Sequence, residues 1–267
     1  MVVGSAPQSE IPAGFDDSYT VLTVNGSQIV AAKWGVTVPD ITFMMFNQVE
    51  GTTTNAREVR RVLSGKRTKS LYIMLWRRNE MERLRQGLKA FDYDYERLEI
   101  VDRYQRMALI DKVAGLSSLE LDADSKCSNG MNVVLFAFHH GATAVIISGI
   151  NPNSAGHVYN QAELKRHHTD MDMCLIKRLM ELNYPLYTAD PDVGLELACR
   201  FGQAQFLSPY PTTRGDARFN RRRKLVLILK APFTRSARSH GACDRGSRTT
   251  PQRSHRLCSR QNRGPHR

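Results

Sequence analysis

Residues 164–172, LKRHHTDMD, set His167 and His168 between a basic pair and the carboxylates Asp170 and Asp172, directly ahead of the apolar run MCLIKRLMEL. Three chemistries fit such a cluster: a metal site, a general base, or a plain helix start. A metal would draw on His167, His168, Asp170, Asp172 and His157. Adjacent side chains on a helix diverge by about 100°, so His167 and His168 do not readily face one ion, and the expectation is no metal. A base is the sharper reading. Thr169 or Asp170 suits an N-cap, and Asp172 suits the positive end of the helix. His167 then lies in the loop ahead of the helix, where partial positive charge disfavours its protonated form. A neutral imidazole near pH 7 is what a general base needs. Spacing alone does not separate that base from an exposed loop histidine.

Other motifs narrow the field by their absence. There is no GxGxxG, no GxxxxGK[ST], no GxSxG and no HExxH. Classical dinucleotide, P-loop, serine-hydrolase and zincin mechanisms lose their support with them. His139 and His140 close a second candidate helix just before Gly141, a C-terminal cap position whose dipole favours a cationic side chain.

The elements that must position these residues are legible as short apolar runs: MVVG, YTVLTVN, ITFMMFN, SLYIMLW, AVIISGIN and PLYTAD. They do not alternate, which predicts strands buried on both faces. Helical periodicity around residues 55–64, 79–90, 103–115, 129–140 and 170–183 separates them. Strands alternating with helices predict an α/β fold, a single Rossmann-like domain with a mostly parallel sheet flanked by helices. Ligands of such sheets bind outside the carboxyl ends of the strands. Those ends are small and polar here: Gly4 and Ser5, then Asn25, Asn47, and Ser148, Gly149 and Asn151. Such residues are turn formers, and equally they let a ligand approach the backbone and offer amide groups to it.

Charge is distributed unevenly. Of 38 Lys and Arg and 26 Asp and Glu, 16 and 2 fall in residues 214–267, which leaves 22 and 24 in residues 1–213. The first part is nearly neutral and is the predicted globular domain. Residues 214–267 form a basic tail whose composition does not bury enough apolar surface to order itself, and non-native coding is the alternative account of it. Its charge alone would speak for nucleic acid, a partner the rest of the chain gives no support for. Five widely spaced cysteines without a CxxC pair point to a reducing compartment. No signal peptide and no apolar run of membrane-spanning length is visible, so the expectation is a cytoplasmic protein.

Taken in chain order, these motifs resemble the bacterial sialyltransferase family that modifies lipooligosaccharides and capsules. VVGSAPQ at residues 2–8 is similar to the family's first strand-end turn, with Ser5 where the family has asparagine. VNGSQ points to Asn25 and MMFNQ to Asn47. CSNG followed by VIISGIN is similar to the family's T-S-G helix start and L-S-G-I-D strand end, and carries over Ser128, Asn129, Gly130, Ser148, Gly149 and Asn151. The family's H-x-x-x-x-D is matched by His167 and Asp172, a spacing His168 does not satisfy.

The resemblance implies a lid over about residues 151–167 and inverting transfer of an acidic sugar from a CMP-sugar donor to a glycan or glycolipid hydroxyl, without metal or cofactor. His167 would take the acceptor's proton and Tyr159 would steady the departing phosphate. It further implies a homo-oligomer with peripheral contact at the inner face of the cytoplasmic membrane. Two positions depart from the pattern. Asn153 stands where a second lid tyrosine is expected, and Lys126 replaces a basic residue better suited to a carboxylate fork. Another cytidine-activated acidic sugar, or a nucleotide-binding or assembly protein of the same fold without catalysis, fits those departures.

Overall fold

The computed structural model describes residues 1–74, 80–120, 125–160 and 168–195. All of them belong to one unit of the chain. Seven strands, β1 (Val2–Val3), β2 (Leu22–Val24), β3 (Ile41–Met45), β4 (Arg67–Met74), β5 (Asp94–Val101), β6 (Val145–Ser148) and β7 (Leu186–Thr188), form one sheet in the order β5-β4-β3-β2-β1-β6-β7. Every pairing is parallel. The expected α/β fold with a parallel sheet is therefore present.

Parallel strands need crossovers, and the helices supply them. They are α1 (Gln28–Lys33), α2 (Phe46–Glu50), α3 (Thr54–Leu63), α4 (Met81–Ala90), α5 (Arg103–Leu109), α6 (Asn129–His139) and α7 (Thr169–Glu181). α5 continues into a π-helical turn, Ile110–Ala114, and a 3-10 turn, Asn25–Ser27, precedes α1. The strand side chains divide by alternation. Met44, Leu71 and Ile73 pack with Val59 and Leu63 of α3 and Leu84 and Leu88 of α4 on one face. Phe43 and Tyr72 point to the other, where both rings meet Phe136 of α6 at 4.8 and 5.1 Å. α6 is buried almost throughout, from Met131 to Phe138, because the sheet lies beneath it and Tyr184, beyond the end of α7, lies against Phe138.

Three local features differ from the sequence expectation. β5 carries the charged segment DYERLEIV and forms the half-exposed edge of the sheet, so it shows no apolar run. β3 ends at Met45, and Asn47 sits within α2 rather than at the strand end itself. The cap position of α7 is taken by His168, not Thr169 or Asp170; Thr169 opens the helix, with its hydroxyl donating to the Pro152 carbonyl at 3.0 Å.

The end of α6 follows the expected stop signal in detail. Gly141 adopts a left-handed φ of +82°, its amide donates to Phe138 O and the Ala142 amide donates to Ala137 O, the paired bonds of a Schellman turn. His139 and His140 do not act as the dipole's cations, however. Burial pushes both imidazoles below 6.5, with Lys112 adding to the effect at His139 and His139 at His140. Depressed folded-state values mean that the neutral rings are favoured on folding. Their contribution is whole above about pH 6.5 and is lost as pH falls through the lowered values. The double variant His139→Gln/His140→Gln is accordingly expected to lose less thermal stability than the parent between pH 7 and pH 5, as measured by melting curves across that range.

Candidate functional site

The strand order identifies where a ligand would sit. The chain builds outward from β1 to β5 and then returns to place β6 on the opposite side of β1, so the order reverses between β1 and β6. The crevice outside the carboxyl ends of these two strands is the topological switch point, where open parallel sheets bind ligands.

At that point the two strand ends hold each other. Gly4 N donates to Ser148 O at 2.7 Å and Ala6 N to Gly149 O at 2.9 Å. A Cβ at Gly4 would collide with the Gly149 carbonyl, and one at Gly149, whose φ is +65°, would collide with Ser9 Oγ. The smallness of these residues thus serves the meeting of protein backbones. Gly26 is similar: a Cβ there would lie 2.6 Å from the Tyr159 ring. At Gly130, which opens α6, it would lie 3.2 Å from the Ile150 side chain. This last contact joins the first turn of α6 to the end of β6, so Ser128, Asn129 and Gly130 adjoin the switch point.

Asp190, two residues past β7, fixes the β6 end. Its carboxylate is almost fully buried and accepts from Gly149 N at 2.6 Å, Glu10 N at 2.8 Å and Ser148 Oγ at 3.2 Å. Burial pushes the carboxyl above its ordinary value, against the pull of those donors. The Ser148 hydroxyl also donates to Glu10 O at 2.8 Å, so this predicted site residue is committed to the protein's own framework. Asp190 was readable as the polar end of PLYTAD, but nothing local in the sequence reveals its three donors.

Around β1 the remaining candidates come together. Ser5 Oγ lies 2.8 Å from His157 Nδ1, and Val158 N donates to Ser5 O at 2.9 Å. His157 and Asn160 form an antiparallel bridge across a tight turn. The His157 ring stacks on Tyr159 with centroids 5.1 Å apart and planes inclined by 6°. Asn25, in the left-handed region at φ +49°, accepts from Met45 N at 3.1 Å and so joins the ends of β2 and β3. Asn47 is exposed and accepts from Gln48 Nε2 at 3.3 Å. Asn151 accepts from Asn153 N at 2.8 Å, an Asx turn that starts the segment after β6.

The start of α6 is secured from beneath. Ser128 caps it, accepting from Met131 N at 3.2 Å. Asp172, in the first turn of α7, is buried and accepts from Ser128 N at 2.7 Å, so the two helix starts meet. The Arg106 guanidinium of α5 donates to Glu120 at 2.6 and 2.8 Å, to Cys127 O at 3.1 Å and to Asn129 Oδ1 at 3.1 Å. Burial works against that positive charge, and the hydrogen bond to Glu120 together with the neighbouring Cys127, Glu120 and Asp172 more than offsets it. Burial likewise pushes the Cys127 thiol up, which leaves it unreactive. Sequence reasoning missed Arg106 and Glu120 because charged residues in amphipathic surroundings look solvent-exposed until their partner is known.

His167 and residues 161–167 of the expected lid lie outside the described residues, as do the basic tail and Cys199, Cys243 and Cys258. Among the described residues no group of three or more His, Cys, Asp or Glu side chains is arranged to hold a metal ion, and no helix is long and apolar enough to cross a membrane.

No protein-family model and no curated protein matches the chain. Among solved structures it is similar to the sialyltransferase CST-II in complex with a trisaccharide acceptor and CMP, at 13% identity and TM-score 0.47 over 77% of this chain and 86% of that one. It is also similar to the monofunctional α-2,3-sialyltransferase Cst-I from Campylobacter jejuni, at 10% identity and TM-score 0.48 over 80% and 88%. A third structure, CstII from Campylobacter jejuni with the substrate analogue CMP-3FNeuAc, matches at 11% identity and TM-score 0.42 over 78% and 85%.

The buried pair beneath α6 makes a direct prediction. Arg106→Met leaves Glu120 buried and uncompensated, and is expected to lower the unfolding free energy by about 3–5 kcal/mol. Replacing both, Arg106→Met/Glu120→Met, is expected to restore much of that loss, as read from denaturant titrations of the two variants.

Proposed function

We propose that the protein is a glycosyltransferase of sialyltransferase type, moving an acidic sugar from a CMP-sugar donor to a hydroxyl of a glycan or glycolipid with inversion and without a metal ion. The observation that carries this reading is the convergence at the switch point. The β1 end with Ser5, the β6 end with Asn151 and the first turn of α6 at Ser128–Gly130 adjoin the switch point, with Tyr159 packed on Gly26, and they carry two of the motifs on which the resemblance rests, VVGSAPQ and CSNG with VIISGIN.

The roles follow from the chemistry. The acceptor oxygen attacks the anomeric carbon as the bond to the phosphate oxygen breaks, and the electron pair leaves with CMP. A nucleotide phosphate is a good leaving group that needs charge stabilisation more than protonation, the task assigned to Tyr159. The attacking hydroxyl must lose its proton, and His167 is assigned as the base that takes it. Asn25, Asn47, Ser128, Asn129 and Asn151 are assigned to the nucleotide. Gly4, Ser148 and Gly149 support them through the backbone junction of β1 and β6. A glycolipid acceptor would bring the enzyme to the inner face of the cytoplasmic membrane, as a peripheral homo-oligomer.

Incubating the full chain with CMP-sialic acid, with and without a galactoside acceptor, is expected to release CMP in an acceptor-dependent manner. His167→Ala should slow that release by about 10²–10⁴-fold, the usual contribution of a positioned general base. Equal release by the variant and the parent would remove the assigned role.

A further inference from the structure

The reading above uses Tyr159 and leaves its stacked neighbour, His157, without a task. His157 is nonetheless built into the switch point. Its Nδ1 lies 2.8 Å from Ser5 Oγ, its ring lies flat against Tyr159, and the amide of the next residue donates to the Ser5 carbonyl. Serine, imidazole and phenol are thereby held as one unit at the carboxyl end of β1. Tyr159 is buried under Gly26, while Ser5 and His157 are half-exposed at the mouth.

The charge around this unit is distinctive. Residues 4–7 and 149–160, which follow β1 and β6, contain neither lysine nor arginine, while the approach to α6 carries Lys126. Asp190 also stands close by, directed at Gly149 N and Glu10 N. Within those two segments the residue able to carry positive charge is His157. Both nitrogens of an imidazolium are donors. When the imidazole is protonated, its Nδ1–H donates to Ser5 Oγ, the serine hydrogen turns outward, and the pair offers a donor backed by a full charge. Charge-assisted bonds of that kind are the strong ones for phosphate oxygens.

The geometry points to His157 and Ser5 as a phosphate-recognition pair for the nucleotide, a task the family resemblance gives to a second lid tyrosine and which Asn153 does not fill in this chain. The inference rests on the donor reading above. It assigns to Ser5, where the family has asparagine, a hydroxyl that relays the charge of His157.

Calorimetric titration of the full chain with CMP, uridine and adenosine monophosphates, cytidine and inorganic phosphate tests it. His157→Ala is expected to weaken CMP by about tenfold or more, the equivalent of one charge-assisted bond, while changing cytidine affinity less than about twofold. Ser5→Ala should show the same selectivity with a smaller loss. His157→Asn preserves a hydrogen-bond partner for Ser5 without the charge, so it should keep the parent's melting temperature and still bind CMP weakly. Equal losses for CMP and cytidine in His157→Ala, or parental CMP affinity in His157→Asn, would overturn the pair. His157-dependent binding of all three monophosphates alike supports the pair and overturns the cytidine reading. A parent chain that binds neither CMP nor phosphate overturns both.

Discussion

One guanidinium decides where α6 begins. Between the π-helical turn at Ile110–Ala114 and the start of α6, the described residues of the connecting loop, 115–120 and 125–128, form no helix or strand. Arg106 halts that loop at three places, gripping Glu120, the Cys127 carbonyl and Asn129 from a single buried position. A charge in such surroundings is stable only when its donors are all used, and here the geometry of five N–H groups matches the partners offered. α6 then runs against the sheet, with Phe136 edge-on to the stacked rings of Phe43 and Tyr72.

Asp172 extends the same construction to α7. The carboxylate that the sequence motif marks by its distance from His167 spends its charge on the Ser128 amide at the foot of α6. The spacing therefore has a structural meaning: it sets the start of α7 against the start of α6. His168 takes the cap position of α7, immediately beside that junction.

Most of the fold was legible because its strands are buried. MVVG, ITFMMFN and AVIISGIN have no polar face to disguise them, and the long helices α3, α4 and α7 show one apolar stripe each. β5 was hidden by its place at the edge, where DYERLEIV meets water. α1 and α2 were hidden by their shortness, since five or six residues do not display a period. The site was legible in part. Strand-end residues are recognisable from position alone, whereas Asp190, Arg106 and Glu120 acquire meaning only through partners far away in the chain. The glycines were found but their purpose was not: Gly4 and Gly149 make room for each other's backbones.

The junction of β1 with β6 also has a kinetic aspect. Ser5 and His157 are 152 positions apart, and Glu10 and Asp190 are 180 apart, whereas β3, β4 and β5 pair with near neighbours in sequence. Closing long loops costs entropy before any contact repays it. The crevice is therefore the part of the molecule that assembles when nearly all of the described chain is already in place. A nascent chain can pair β2, β3, β4 and β5 before the residues that hold Ser5 and Glu10 have been made.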